Sequence, residues 1–342
     1  MPALDSTAPD AFDVVHARIL RFFPDLVAEL GGDCDGLLRR VGIDPDQVSD
    51  GERGPTYRQI IHLFELAASE LRCPDFGMRL ASLQGGRMYG PLGRVMRNSR
   101  TFGEAVHYVS RHSYAHSLAA GIWLRPHRSG KSLFVGHDIL LEGLPNKSQA
   151  MEQLLLLGQL GAAEITSGQA RVRRVHFRHQ PLSSRATYRR YFGCEVRFGQ
   201  NEDGVVFFER DLACPITGPD AQAYQAATAY IEAEFTRHRP PLHAHARGVI
   251  MHCLDTELCT NDRVAAELKL HPRTMHRRLK AEGTSFQQIK DEVRRDLMIY
   301  YLQQTDLSFA RVSERLGFAE QSVMTRSCQR WFSAPPTALR HA

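Results

Sequence analysis

Apolar side chains recur at helical three- and four-residue steps through the last third of the chain. In residues 263–282 two such stripes are separated by Leu270, which is placed to close a turn between them. The stripes consist of Val264, Ala265, Leu268, Met275 and Leu279. This pattern predicts a short helix, a tight turn and a second helix.

The second helix of this unit is predicted to begin at Pro272, because proline is tolerated in a first helical turn, where its missing N–H is not needed. Its outer face carries Arg273, His276 and Arg277 at i, i+3 and i+4, so all three lie on one side. Arginine donates two hydrogen bonds to a guanine edge, and neutral imidazole donates or accepts one. The face therefore suits contacts with DNA bases; the plainer alternative is a solvated face with ordinary charges.

The same pattern returns about fifty residues later, which indicates a small internal duplication. Val312 and Leu316 form the inner stripe, Gly317 supplies the turn, and Val323 anchors the following helix. The exposed face of that helix is predicted to carry Gln321, Ser322, Thr325 and Arg326. These side chains bind base edges or phosphates, so this helix is a second candidate for DNA contact.

An amphipathic helix is predicted between the two units, because Phe286, Ile289, Val293, Leu297 and Tyr300 recur at helical spacing. Its charged residues, Arg294 among them, are assigned to the outer face, where Arg294 would contact a DNA phosphate. A helix of about 16 residues is ~24 Å long, so with its turns it would hold two recognition helices about one DNA turn, ~34 Å, apart.

The first two thirds of the chain mix helical and strand patterns. Strands are predicted at residues 121–126, 132–140 and 170–179, a long apolar helix at 146–166, a short helix at 187–193, and a hairpin at 194–214 with Asn201, Asp203 and Gly204 in its turn. The predicted fold class is an α+β N-terminal domain with a small antiparallel sheet, followed by an all-α C-terminal domain with two helix-turn-helix units joined by a linker helix. The predicted boundaries are 1–225 for the first domain, 226–239 for the linker and 240–342 for the DNA-binding domain, with helix-turn-helix units near 262–283 and 310–332.

The composition agrees with this organisation. The chain has 342 residues, 43% of them hydrophobic and 24% charged, as in an ordinary globular protein of about two domains. Most of its +5 net charge arises from residue 240 onward, in the predicted DNA-binding half. We find neither an apolar run of membrane-spanning length nor a signal peptide, so a cytoplasmic, nucleoid-associated protein with no membrane contact is expected.

The C-terminal part resembles the AraC/XylS family of bacterial transcription regulators. The resemblance is carried by PRTMHRRLKAEGTSF, EVRRDLMIYYL and VSERLGFAEQSVMTRSCQRWF, followed by a proline pair and Arg340. It implies sequence-specific binding of double-stranded DNA. By this resemblance, the base-contacting positions of the family fall on Arg273, His276 and Arg277 in the first recognition helix and on Gln321, Ser322, Thr325 and Arg326 in the second. Cys328 and Met324 stand where members commonly have phenylalanine, which suggests a softer second unit.

The N-terminal part resembles the ligand-binding domain of one branch of this family, which lacks the cupin barrel and includes regulators of ornithine and opine catabolism, quorum-related regulators and mycobacterial virulence regulators. The matching segments are residues 90–112 and 175–216. The resemblance implies a small-molecule effector without naming it. A pocket for a small anion is a hypothesis for Arg87, Tyr89, His107, Tyr108, His112 and Tyr114; the alternative places these side chains at the surface and in the core.

No catalytic residue, metal or cofactor is predicted. His112 and His116 have a spacing that can hold a metal, but no third ligand is evident, so polar or surface histidines are the preferred interpretation. The predicted function is a transcriptional activator that responds to an effector, binds DNA as a homodimer and recruits RNA polymerase. The predicted hairpin or the helix from Asn146 would supply the dimer face. The alternatives are an effector-independent repressor, or a metabolite-binding enzyme fused to a DNA-binding module.

Overall fold

The computed structural model describes residues 13, 15, 17–46, 55–126, 131–144, 146–235, 241–254 and 259–340. The last part of the predicted linker, residues 236–239, lies outside them. Among the helices of the described residues, none is both long enough and apolar enough to cross a membrane.

Helices dominate the first part of the chain, and side-chain caps set where several of them begin. Thr56 Oγ1 accepts a hydrogen bond from the Gln59 N–H at 3.1 Å, and Gln59 Oε1 accepts one from the Thr56 N–H at 2.8 Å. This reciprocal capping box satisfies two donors that a helix start leaves unpaired. The helices are α1 (Phe23–Glu29), α2 (Cys34–Arg40), α3 (Tyr57–Glu70), α4 (Phe76–Gln84), α5 (Gly90–Asn98) and α6 (Phe102–His112).

A five-stranded sheet follows, with the strands in the order β1-β2-β5-β3-β4. The first two strands pair antiparallel, with Ala120 opposite Ile139. The strands are β1 (Ala120–Pro126), β2 (Ser132–Ile139), β3 (Arg174–His176), β4 (Glu195–Arg197) and β5 (Gly204–Phe208). The α+β class of the N-terminal domain is thereby confirmed.

The hairpin predicted at 194–214 is wrong, because β3 lies between β4 and β5. It pairs parallel with β4 and antiparallel with β5, so the sheet is mixed rather than antiparallel. The backbone explains the difference: Gly199 N donates to His179 O at 3.2 Å and Gln200 N to Phe177 O at 3.0 Å. The chain leaving β4 therefore follows the end of β3 instead of turning back on itself.

The long apolar helix is the centre of the N-terminal core. Helix α7 (Ser148–Ile165) buries most of its residues, including Glu152 and Gln153, whose exposed fraction is 0%. This burial leaves only the part of the helix around Gln159, Leu160 and Glu164 accessible for the dimer face predicted from the sequence, which stays a prediction. Helix α8 (Arg185–Phe192) follows β3, and α9 (Ala221–Phe235), which includes the first part of the predicted linker, packs on α5 through Ala227 and Ile231.

The C-terminal residues form a separate helical core. Its buried members include Val264, Leu279, Val293 and Leu316, and no residue of the N-terminal cores belongs to it. The helices are α10 (Leu242–Cys253), α11 (Asn261–Glu267), α12 (Pro272–Ala281), α13 (Phe286–Gln304), α14 (Phe309–Arg315), α15 (Gln321–Phe332) and α16 (Pro336–Arg340). The prediction of an all-helical C-terminal domain is confirmed.

Two buried histidines make the N-terminal domain sensitive to acid. Burial lowers the pKa of His137, on β2, to about 4, and lowers the pKa of His179, just after β3, to about 4 as well. Since the folded pKa lies below the ordinary value of 6.5, the unfolded chain binds these protons first as the pH falls. Stability contributed by the neutral imidazoles is therefore present above pH 6.5 and is lost between 6.5 and about 4.

We expect His137→Gln to become more stable relative to the wild type as the pH falls. The difference in free energy of unfolding should shift by about 2 kcal/mol in favour of the variant between about pH 7 and about pH 4.5, because glutamine does not have to be protonated. Urea unfolding at both pH values measures this shift. His107→Gln, at an exposed position, is the control; an equal shift there would contradict the assignment to burial.

Candidate nucleic-acid interface

The first helix-turn-helix unit is built by a capped helix and a left-handed turn residue. Thr260 Oγ1 accepts from Arg263 N at 3.2 Å and starts α11. Lys269 has φ +54°, and Leu270 N then donates to Ala265 O at 2.9 Å. After this turn the chain enters α12 at Pro272, as predicted. A lysine side chain gives no sequence signal of positive φ, so the pattern did not identify Lys269 as the turn residue.

The second unit copies this geometry 48 residues later. Ser308 Oγ accepts from Arg311 N at 3.3 Å and starts α14. Gly317 has φ +61°, and Phe318 N donates to Ser313 O at 3.1 Å, so each turn contact has its counterpart in the first unit. The internal duplication predicted from the apolar pattern is therefore present in the backbone hydrogen bonds.

Helix α12 presents a basic face to solvent. Met275 and Leu279 are 0% exposed and point into the C-terminal core, whereas Arg273, His276 and Arg277 are exposed on the opposite side. None of these three side chains forms an ion pair with a residue that the structure describes. Their charge and donors are therefore available to a partner outside the chain.

Helix α15 presents a less basic, partly engaged face. Its inner side is formed by Met324 and Cys328, both 0% exposed. On the outer side Ser322 Oγ donates to the Glu320 carboxylate at 3.1 Å, and Thr325 Oγ1 donates to Gln321 O at 3.0 Å. The outer residues are Gln321, Ser322 and Arg326, which are exposed, and Thr325, which is partly exposed. Each hydroxyl has to give up its intramolecular acceptor before it can donate a hydrogen bond to DNA, while its lone pairs can still accept one.

The connecting helix holds the two units through a residue that the sequence pattern misplaced. Helix α13 is capped by Ser285, whose Oγ accepts from Gln288 N at 3.2 Å, and has 19 residues, more than the about 16 predicted. Arg294 is only 13% exposed. Its Nε donates to Leu316 O at 3.0 Å, its Nη2 to Gly317 O at 2.6 Å, and its guanidinium lies 4.4 Å from the centroid of the Phe318 ring.

The prediction that Arg294 contacts a phosphate from the outer face is thus wrong. The side chain donates to the carbonyls of Leu316 and Gly317, just after α14, and stacks on Phe318, which follows the second turn. The sequence pattern assigned Arg294 to the outer face only because it is charged. Its carbonyl partners lie more than twenty residues further along the chain.

Two family models match the chain. One is described as the arabinose-binding domain of AraC transcription regulators, N-terminal, and matches residues 31–216; the other, a helix-turn-helix domain, matches residues 264–342. The HTH-type transcriptional regulator VirS of Mycobacterium tuberculosis is 32% identical over 327 residues, which cover 96% of each chain. The chain belongs to the AraC family of transcription regulators. The family resemblance noted from its sequence is confirmed, and its C-terminal domain binds DNA.

This AraC-family regulator is also similar to the ornithine utilization regulator of Pseudomonas aeruginosa, with 23% identity over 93% of the regulator and 94% of that protein. The crystal structure of the transcriptional regulator CdpR from P. aeruginosa aligns with 99% of the regulator and 100% of that chain, at 21% identity and a TM-score of 0.47.

The six residues of the hypothetical anion pocket do not surround one cavity in the regulator. Tyr89 lines an apolar cavity of about 80 Å³ between the sheet and α7, whereas His112 and Tyr114 line an open cleft of about 580 Å³ between α6, β1 and α10. His107 is exposed. Tyr108 stacks on His112 with ring centroids 3.9 Å apart, and the Arg87 side chain lies outside what the structure describes.

Within the cleft, His112 is held by its own helix. Its Nδ1 lies 2.8 Å from Tyr108 O, which holds the imidazole ring against the Tyr108 ring. The opposite wall of the cleft comes from the DNA-binding domain and includes His245 and Leu268. The cleft is therefore a boundary between the domains rather than a pocket inside the N-terminal one.

Proposed function

We propose that the regulator is a transcriptional activator that binds DNA through α12 and α15 and responds to a small molecule bound by its N-terminal domain. The observation that carries this proposal is the exposed face of α12, where Arg273, His276 and Arg277 have no ion-pair partner among the described residues. The repeated unit supplies a second recognition helix, so each chain would contact two major-groove segments on one side of the duplex.

The division of labour between the helices follows from their free donors. On α12, Arg273 and Arg277 offer forked guanidinium donors that suit guanine. On α15 the two hydroxyls already have acceptors, and Glu320 adds negative charge beside Ser322. We therefore assign most of the base discrimination to α12 and a supporting share of the DNA contacts, through the exposed Gln321 and Arg326, to α15.

In this proposal the regulator binds as a homodimer to two similar half-sites in the bacterial cytoplasm, within the nucleoid, and recruits RNA polymerase. An effector acts only if it binds one arrangement of the DNA-binding domains better than another. Transcription from a selected site, measured with purified RNA polymerase in the presence and absence of the regulator, separates an activator from a repressor.

The direct test is selection of genomic fragments by the purified full chain at a stated salt concentration, followed by sequencing of the bound DNA. Two similar half-sites, each long enough for two major-groove contacts, support a dimeric regulator with two recognition helices per chain. Selection is repeated with metabolite extracts, and recovery of only random DNA under both conditions contradicts sequence-specific binding.

Replacing Arg277 with alanine should weaken binding to the selected site by ~1–3 kcal/mol and relax the base preference at one position, because two hydrogen bonds to a base edge are lost. Titration of labelled cognate and random duplexes measures both effects. Arg39→Ala, at an exposed position of the N-terminal domain, is the control and should change neither affinity. An equal loss on cognate and random DNA for Arg277→Ala argues against base contact.

A further inference from the structure

The two domains meet at an ionic contact around the buried Arg247. Arg247, on α10, donates from Nη2 to Asp296 on α13 at 2.5 Å, and its Nη1 lies 3.4 Å from the Glu142 carboxylate of the N-terminal domain. Asp296 also accepts from Gly143 N at 3.2 Å. We call this contact, made by Glu142, Gly143, Arg247 and Asp296, the domain interface. Its geometry couples the position of α13 to the N-terminal domain.

A cavity of about 50 Å³ lies at the domain interface, and both domains line it. Its apolar walls come from Ile139, Leu141, Leu144 and Met151 on one side and Met251, Val293 and Leu297 on the other. Its polar lining includes Lys147, Arg178, Asp203, Arg247, Asp296 and Tyr300. Apolar walls with a few convergent polar groups are typical of a small-molecule site.

Several buried donors of the polar lining have no hydrogen-bond partner among the described residues. Arg178 is 5% exposed, and its Nε and Nη2 form no hydrogen bond with a described residue; Asp203 and Asp138 lie 3.6 and 3.9 Å away. Within the same set, the buried Tyr300 hydroxyl also lacks a hydrogen-bond partner. Lys147 Nζ donates to one backbone carbonyl, Ile139 O, at 3.2 Å.

The carboxylates at the cavity are largely engaged by other donors. Asp203 Oδ1 accepts from Arg178 N at 2.8 Å, Asp138 Oδ2 accepts from the Trp123 indole at 2.9 Å, and Asp296 is bound by Arg247 and Gly143. Glu142 lies at the rim, with 44% of its side chain exposed. A buried donor without an acceptor is destabilising, so this lining favours a guest that brings oxygen acceptors and negative charge.

We propose that this cavity binds the carboxylate of a short-chain organic acid, with Lys147, Arg178 and Tyr300 as its donors and the apolar walls around its chain. The size agrees, since one water-sized sphere occupies roughly 10–15 Å³ and the cavity holds only a few such volumes. Because Tyr300 belongs to α13 and Lys147 to the N-terminal domain, the bound acid favours the docked arrangement over any other. The inference rests on the proposed effector response and names the effector's chemical class.

The test uses the full chain without DNA. Acetate, butyrate and hexanoate are titrated at constant ionic strength by calorimetry and thermal unfolding, with acetamide, butanamide and hexanamide as neutral controls. Saturable binding and a rise in melting temperature are expected for at least one acid, and for none of the amides. The absence of saturable binding by all three acids, or equal binding of acid and amide, overturns the proposal.

Variants locate the site. Lys147→Met removes the charge at nearly constant volume and should weaken acid binding roughly 10-fold or more, as expected for a lost charged hydrogen bond. Tyr300→Phe removes one hydroxyl from the DNA-binding side and should weaken binding several-fold. Lys131→Met, at an exposed position remote from the cavity, should bind like the wild type. Thermal unfolding of each variant checks that it is folded.

Equal acid affinity in Lys147→Met, Tyr300→Phe and Lys131→Met overturns the assignment to the domain interface. Acid binding is measured without DNA, so its result is independent of the fragment selection. If selection returns only random DNA while acids bind, the proposed regulation fails and the site stands. If selection returns specific half-sites while no acid binds, the proposed acid site is wrong and the proposed DNA-binding function stands.

Discussion

Replacing Gly317 with alanine should lower the free energy of unfolding of the C-terminal domain by about 4 kcal/mol, because the substitution combines backbone strain with a steric clash. Gly317 has φ +61°, and a Cβ at this position would lie 2.1 Å from Leu254 O. Leu254 follows α10, so the clash separates the second turn from the segment that precedes the first unit. Urea unfolding of the full chain measures the loss, and titration of selected DNA shows its effect on binding.

Gly283→Ala is the matched control for this prediction. Gly283 also has positive φ, +77°, but a Cβ there would meet nothing within 4 Å. The Gly283→Ala substitution should therefore lower the free energy of unfolding only by the backbone strain, about 1 kcal/mol. Losses of equal size at the two glycines would show that close approach to Leu254 is not what requires glycine in the second turn.

Replacing Arg294 with methionine should destabilise the same domain by about 3 kcal/mol. Methionine keeps much of the aliphatic stem but leaves Leu316 O and Gly317 O without their charged donor and removes the stacking on Phe318. Thermal and urea unfolding measure the loss. Arg311→Met is the control, since Arg311 is 56% exposed and pairs with Glu314 one turn further along the helix; a change within about 0.5 kcal/mol is expected.

The salt dependence of DNA binding separates the structural role of Arg294 from the phosphate contact expected from sequence. At a temperature where the variant is folded, loss of one phosphate contact would reduce the salt slope of binding by about one. If Arg294 instead supports α14 and the second turn, the variant should keep the salt slope of the wild type and differ from it in stability. A reduced salt slope with unchanged stability would instead support the phosphate contact expected from the sequence.

The connecting helix and the second unit both contact the N-terminal domain, which would give the proposed effector two routes to the geometry of DNA binding. The connecting helix is held through Asp296 at the domain interface. Arg315, at the end of α14, donates from Nη1 to Gly199 O at 3.1 Å, in the segment between β4 and β5. A change in docking would therefore reach the connecting helix and the second unit together.

Much of the DNA-binding domain could be predicted from sequence because its determinants are local. Caps such as Ser285 and Ser308, the proline that opens α12 and the stripes at helical spacing all act within a turn or two of their own residue. The same local rule assigns Arg273 and Arg277 to one outer face, and the structure exposes both.

The tertiary structure decided what depends on partners distant in sequence. Strand β3 separates β4 from β5 because residues 199 and 200 hydrogen-bond along the end of β3, which no local turn signal encodes. Arg294 has its carbonyl acceptors in the second unit, and the interface cavity draws Lys147, Arg178 and Tyr300 from three separate stretches. The sequence by itself therefore determined the two recognition units and their outer faces, because periodicity and capping act over a few residues. Only the fold determined the sheet order, the burial of Arg294 and the interface cavity. Each of these depends on contacts between residues far apart in sequence, which form only when the whole chain packs.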